Sequence, residues 1–561
     1  MPDVDVPSRW TPPRLAFAGA FVFRLLFLLS FKDNPLFVPV TGGSDRSLYD
    51  QLAVAVAGGA WWPEGVFQYM PLYAWVLGLL YKLFGASNFV VAGLVGALVD
   101  AGTCALIVRF GRRLGCAGWA VAVAAALYAL YPLAVVYSVL TMPNTLNAFF
   151  VILFAERVTA LTADPRPAWR AWLAVGLLAG VTCLSFAGML LIGLTTAVTV
   201  AVLRLRRGLT CWPPLLSLLL VPACLIAPIT IHNGRSEPGF VLITAHGGFN
   251  FWMGNHKGAT GYPMQIEGFR GDRGSLLVDA IADAERREGR KLTSAEFSKH
   301  WSDRARAFQR EHPAAALRLT GLKLLRFFSA TEYDDLRLLP MIKLTGTWLG
   351  WPVWPGFALL AWLGMCGLFL VRSAAIPRVV LLTGLAGIVS FFITARYRLT
   401  LAPLLAVFAA GTLSALPALA PARRIAVGVG LLAAALLVWW PLPQTDFRAL
   451  DHYNAATHLL ERGLADEAIA LADRGLALAP KEPDLHFVRG NACFGMNRLA
   501  EARTAYETAL ALRPKHAQAR FNLAVVCKFM GDLPRARREA EAALVDDPLL
   551  DQARQFLKEL P

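Results

Sequence analysis

The chain has 561 residues, 56% of them hydrophobic and 17% charged, with a mean hydropathy of +0.49. These figures exclude a soluble domain of ordinary composition over most of the length. The formal charge of +15 comes from Arg in short clusters between apolar runs, so it reads as a membrane-topology signal and not as a nucleic-acid face. The eight Cys sit mostly inside apolar segments without metal spacing; buried small side chains are expected, and no disulfide framework.

In chain order, "MPDVDVPSRWTPPR" lacks a cleavable signal pattern, so the first span is expected to remain as an anchor. At about 20 apolar residues per crossing, spans are expected near 14–31, 88–108, 117–137, 145–162, 170–186, 187–203, 212–229, 350–371, 378–394, 398–416 and 425–441. The Arg-bearing stretches 109–115, 163–170, 204–208, 371–378 and 421–424 then share one side, the cytoplasm. Residues 32–87, 230–349, the "ARYR" stretch 395–398 and the C-terminus fall on the other side. "PLYAWVLGLLYKLF" (71–84) is too short to cross and reads as a helix at the membrane surface. Arg24 and Asp100 fall at similar depth within two spans and are expected to pair.

After residue 447 the apolar runs stop. Pro480, Pro514 and Pro548 recur at intervals of 34, as do Ala468, Ala502 and Ala536, and Ala456, Gly490 and Ala524. This is the tetratricopeptide period, with small residues where helices approach and a proline ending each unit. Three units and a terminal helix are expected over about 449–550. They could form a groove for a protein partner, or a stabilising or self-association surface. The expected domains are a membrane domain, 1–445, and a repeat domain, 446–561.

Several polar residues could carry chemistry. Asp45, in "GGSDRSLYDQLA", could cap a helix starting at Ser44 or Asp45, or act as a general base; Asp50 reads as a solvated helix residue. Arg396 and Arg398 flank Tyr397 where a span starts and could anchor at the interface or bind phosphate, with Arg46 and Lys82 as secondary candidates. "GGFNFWMGNHKGATGY" (247–262) could form a sugar pocket with Asn250, Asn255 and Lys257, or anchor Phe249, Phe251 and Trp252 at headgroups. Residues 278–312 read as a solvated helical subdomain without chemistry, followed by Glu332, Asp334 and Asp335 as candidate second acids. His246 and His256 are isolated, and no motif suggests zinc or a cofactor.

The order "GGSDRSLYDQLA", "FQYMPLYAWVLGLLYKLFG" (67–85) and "LYPLAVVYSVLTMPNTLNAFF" (130–150) resembles the first third of integral-membrane glycosyltransferases of the GT-C class. The particular likeness is to the family of protein mannosyltransferases and lipid A aminoarabinose transferases, through Asp45, Tyr49, Pro71, Leu72 and Tyr73. "PITIHNGRSEPGFVLITAHGGFNFWMGNHKGATG" (228–261) looks like its later outer segment, and "ARYRLTLAP" (395–403) like its arginine-bearing span start. The resemblance implies an all-α polytopic bundle of about 11 spans joined to an α-solenoid. It implies hexosyl or pentosyl transfer from a polyprenyl-phosphate sugar donor to a lipid or protein acceptor, at the outer face of the cell's inner membrane.

In that reading Asp45 is the base, and Tyr49, Tyr73, Asn144, Asn250, Asn255, Lys257, Arg396, Tyr397 and Arg398 bind substrate. Two departures stand out: "TMPNTL" puts Asn144 near a position that is acidic in many relatives, and "CLSFAGM" (183–189) lacks their Arg-Pro. They point to altered donor specificity, metal independence or lost activity. A non-catalytic assembly protein that recruits partners through its repeats, or a lipid-linked glycan ligase, are the alternatives.

Overall fold

The computed structural model describes residues 11–39, 44–263, 273–350, 353–443, 446–548 and 550–560; Val40 to Gly43, ahead of Asp45, lie outside them. The fold is all-α, and no β-strand occurs among the described residues. Contacts divide the chain into two compact units. One comprises Met1–Lys32, Thr41–Leu336 and Pro352–Leu442; the other comprises Asp33–Val40, Arg337–Trp351 and Pro443–Pro561.

The first unit begins with α1 (Pro12–Phe31), α2 (Asp45–Ala57), α3 (Pro71–Phe84), α4 (Phe89–Arg113), α5 (Gly118–Ala129), α6 (Pro132–Val139), α7 (Asn144–Ala163), α8 (Trp169–Cys183), α9 (Gly188–Leu205) and α10 (Trp212–Ser236). It continues through α11 (Gly247–Met253), α12 (Arg273–Glu288), α13 (Ser294–Glu311) and α14 (Pro313–Phe328). After α15 (Leu338–Leu344), which packs in the second unit, it resumes with α16 (Phe357–Leu370), α17 (Ala375–Ser390), α18 (Ala395–Leu399), α19 (Ala402–Ala415) and α20 (Pro421–Val438).

Among the described residues, α1, α4, α7, α9, α10 and α20 are long and apolar enough to cross a membrane, and α5 with α6 makes a seventh if the bent pair is one span. The other expected spans correspond to α8, α16, α17 and α19, which are shorter, at 14 to 16 residues. The expected continuous span at 117–137 is instead broken between α5 and α6 by a bend of 59°. Pro132 explains the break: it holds Tyr131 extended, at ψ 113°, and starts a new helix where a missing N–H costs nothing.

Arg24 and Asp100 pair as expected, Nε to Oδ2 at 2.7 Å, with both side chains buried. Tyr128 Oη donates to Asp100 Oδ1 at 2.8 Å, and Arg24 Nη1 donates to the carbonyl of Ala129 at the end of α5. The buried charge therefore caps the broken helix by satisfying one of its last carbonyls. On α4, a Cβ at Gly96 would stand 2.1 Å from the Ser138 carbonyl, so only glycine lets α6 lie this close.

Asp50 is half-buried and bonded: it accepts from Tyr81 Oη at 2.7 Å and Ser87 Oγ at 2.9 Å, tying α2 to α3. The segment at 247–312 has its own core, in which Phe249 and Trp252 of α11 are buried with Phe297 and Trp301 of α13. The two aromatic rings are therefore neither a sugar platform nor headgroup anchors.

In the second unit, helix pairs α21 (Arg448–Glu461) and α22 (Ala465–Leu478), α23 (Pro483–Gly495) and α24 (Leu499–Leu512), and α25 (Ala517–Phe529) and α26 (Leu533–Asp546) precede a terminal α27 (Asp551–Glu559). A Cβ at Gly490 would stand 2.6 Å from the Tyr506 ring, so the small residue sets the distance between α23 and α24. Two stretches read from sequence as outer loops pack here: Arg337, next to α15, forms a two-pronged bond with Asp451 at 2.6 and 2.7 Å, and Asn34 bonds Thr345 at 3.1 Å. Neither stretch has a period that would have marked it as part of the solenoid.

Candidate functional site

At the start of α2, Ser44 is the cap: its Oγ accepts from Ser47 N–H at 3.2 Å. Asp45 is the first helical residue, and its carboxylate meets Arg396 of α18, Oδ2 to Nη1 at 2.7 Å. The other terminal nitrogen of Arg396, Nη2, stands 2.8 Å from Asp335 Oδ2. Three charges thus form a chain, Asp45–Arg396–Asp335. Burial works against the Arg396 charge, but Asp335 and Asp45 outweigh it and raise the guanidinium pKa well above its ordinary value.

The acidic loop carrying Asp335 is held from several directions. Tyr131 Oη donates to Glu332 Oε2 at 3.0 Å and Phe357 N–H to Glu332 Oε1 at 2.8 Å, while Tyr137 Oη donates to Asp334 Oδ1 at 2.8 Å. Arg398 is fully buried and donates to the carbonyls of Arg326, Ser329 (3.0 Å) and Thr331 (2.9 Å). Two residues apart on one short helix, the two arginines face different partners, as side chains at i and i+2 must. Arg398 braces the backbone ahead of the acids and does not join Arg396.

Around Asp45 the aromatic residues cluster. Tyr49 stacks edge-on to Tyr73 at 5.3 Å and to Tyr69 at 5.9 Å, and Tyr69 meets His246 at 5.9 Å. Burial, reinforced by Asp45, raises the Tyr49 pKa, and burial also raises that of Tyr73, so both phenols stay protonated. Burial pushes His246 down to about 4 against the pull of Asp45, so its ring is neutral at neutral pH. Tyr397 lies under Arg396, ring centroid to Cζ at 5.3 Å. Asn144, at the start of α7, donates Nδ2 to the Arg396 carbonyl at 3.1 Å.

Asp45, Tyr49, Tyr73, Asn144, Arg396 and Tyr397 thus come together. Asn250 is half-buried on α11, one turn beyond His246, and Lys257 is exposed. Asn255 is bonded elsewhere: Nδ2 donates to the carbonyls of Phe251 (2.7 Å) and Ser390 (2.8 Å), and Oδ1 accepts from the buried Lys323 at 2.9 Å. Tyr69, Tyr131 and Tyr137 also belong here, although nothing in their sequence positions singled them out as site residues. The available signal was two tyrosines in the apolar stretch 130–140, whose hydroxyls need partners once buried.

Residues 68–232 match the family model of dolichyl-phosphate-mannose-protein mannosyltransferases, and residues 490–531 match a TPR repeat model. The resemblance to the GT-C glycosyltransferases stands. The matched segment contains Tyr69, Tyr73, Tyr131, Tyr137 and Asn144, and so one wall of the site. Among solved structures, the chain is similar to ArnT from Cupriavidus metallidurans bound to undecaprenyl phosphate, with 15% identity, 89% of this chain and 81% of that one covered, and a TM-score of 0.40. It is also similar to the archaeal oligosaccharyltransferase AglB from Archaeoglobus fulgidus in complex with an inhibitory peptide and a dolichol-phosphate, with 14% identity, 79% and 58% covered, and a TM-score of 0.41. The repeats are similar to the first TPR of Spaghetti (RPAP3) bound to an HSP90 peptide, with 22% identity, 21% and 95% covered, and a TM-score of 0.20. No curated protein matches the chain.

Proposed function

We propose that the protein transfers a glycosyl group from a polyprenyl-phosphate-linked sugar to a lipid or protein acceptor at the outer face of the inner membrane, with its repeats on the same side. Asp45 takes the proton of the acceptor hydroxyl as that oxygen bonds the sugar carbon, which inverts. The bond from sugar carbon to phosphate oxygen breaks, and its electron pair leaves with the polyprenyl phosphate. Arg396 neutralises that phosphate through a charge-assisted hydrogen bond from its guanidinium.

The observation that carries this reading is the Asp45–Arg396 ion pair, which sets a carboxylate and a phosphate-binding cation 2.7 Å apart beside a wall that matches a glycosyltransferase family. Purified protein supplied with polyprenyl-phosphate sugars tests it. Transfer by the native chain that Asp45→Asn abolishes is the expected result. Unchanged transfer by that variant removes the proposed base, and a native chain that binds donor but transfers nothing supports the non-catalytic alternative.

A further inference from the structure

The two carboxylates on Arg396 are not equivalent. They bond different nitrogens, Asp45 on Nη1 and Asp335 on Nη2, so one can leave without disturbing the other. The Asp335 side chain is 2% exposed and that of Asp45 18%. Their mountings differ too. Asp335 follows Asp334 and Glu332, which are bonded to Tyr137 and Tyr131 of the α6 region, in a loop whose preceding carbonyls Arg398 holds. Asp45 is the first residue of α2, where a helix frays most easily.

We propose that Asp335 is the positioning residue for Arg396, the fixed end of a charge chain in which the donor phosphate replaces only Asp45. This rests on the glycosyl-transfer reading above. The exchange balances: a polyprenyl-phosphate sugar is a phosphodiester with one negative charge, so it takes the place of one carboxylate on Nη1 and the charge around the guanidinium is unchanged. Asp45 is released from its cation by the same event. A carboxylate bonded to a guanidinium is a poor proton acceptor, and losing the Arg396 contact makes Asp45 a better one. The base is therefore switched on by arrival of the donor, so the acceptor is not activated before there is a sugar to receive it. Asp335 keeps Arg396 in place during the exchange; without it, the guanidinium belongs wholly to Asp45 and the phosphate must compete harder.

Binding of a long-chain polyprenyl phosphate to the detergent-solubilised full chain, together with donor kinetics, tests this. Asp45→Asn should bind polyprenyl phosphate about tenfold more tightly than the native chain, because the competing charge is gone. Asp335→Asn should raise the donor KM about tenfold while kcat at saturating donor stays within about threefold, the signature of a lost binding interaction. Asp335→Glu should recover most of the native KM. Native KM in Asp335→Asn with native affinity in Asp45→Asn overturns the inference and leaves glycosyl transfer standing if the native chain is active. A native chain that neither binds polyprenyl phosphate nor transfers sugar overturns both. If Asp335→Asn does not fold, the Asp45→Asn affinity and the Asp335→Glu kinetics decide the matter: unchanged Asp45→Asn affinity overturns the proposal.

Discussion

Asn144 donates its side-chain N–H to the backbone carbonyl of Arg396 across 3.1 Å. The uncharged Asn144 thus supports the arginine that pairs with both Asp45 and Asp335. Asn144→Asp puts a carboxylate against that carbonyl and removes the donor. Leaving a buried acceptor unpaired costs about 1–3 kcal/mol, so initial rates of transfer should fall at least about fivefold at limiting donor. A rate equal to the native one would show that the amide does not position α18.

Tyr137 supplies a hydrogen bond to Asp334, next to the acid that holds Arg396. Tyr137→Phe keeps the ring and removes the hydroxyl. Thermal unfolding in detergent should show a loss of about 1–3 kcal/mol, and donor KM should rise as the neighbouring Asp335 loosens. Tyr131→Phe, which removes the hydroxyl bond to Glu332 Oε2, should destabilise similarly but shift donor KM less, because Glu332 retains the Phe357 N–H.

The Arg24–Asp100 pair is buried between α1 and α4. Arg24→Met strands a buried carboxylate and should cost about 3–5 kcal/mol. Arg24→Met combined with Asp100→Leu should recover more than half of that, because no uncompensated charge remains. Chemical unfolding of the single and double variants provides the cycle; equal losses in both would show that the pair's worth lies in capping Ala129.

His246 has its pKa lowered from its ordinary value to about 4 by burial, with Asp45 pulling the other way. The unfolded chain takes up this proton near pH 6.5 and the folded chain near 4. The folded state therefore loses up to about 1.4 kcal/mol per pH unit as pH falls through that window, and nothing above it. His246→Gln should flatten that part of the stability profile. An unchanged slope between pH 6.5 and 4 would assign it to other groups.

In the repeats, Gly490→Ala places a methyl where the Tyr506 ring lies 2.6 Å away. Overpacking of this kind costs about 1–3 kcal/mol, read as a lower unfolding midpoint by circular dichroism. An unchanged midpoint would mean that α23 and α24 separate at no cost.

The all-α class, the place of most apolar helices and the repeat period were legible because hydrophobic runs and periodic small residues are local properties of a chain. The Arg24–Asp100 pair was legible too, since depth in a membrane follows from counting along two spans. What the sequence could not decide was which charges meet. Asp45 and Arg396 are 351 positions apart, and Arg396 and Arg398 look alike in "ARYR" although one faces two acids and the other three carbonyls. Phe249 and Trp252 looked like surface aromatics, yet α13 buries them. By itself the sequence determined that a helix starts at Ser44 or Asp45 and that arginines stand at the start of a late span. Only the packing of α2, α18 and the acidic loop made them one site, because an ion pair depends on the distance between elements and not on the order in which the chain supplies them.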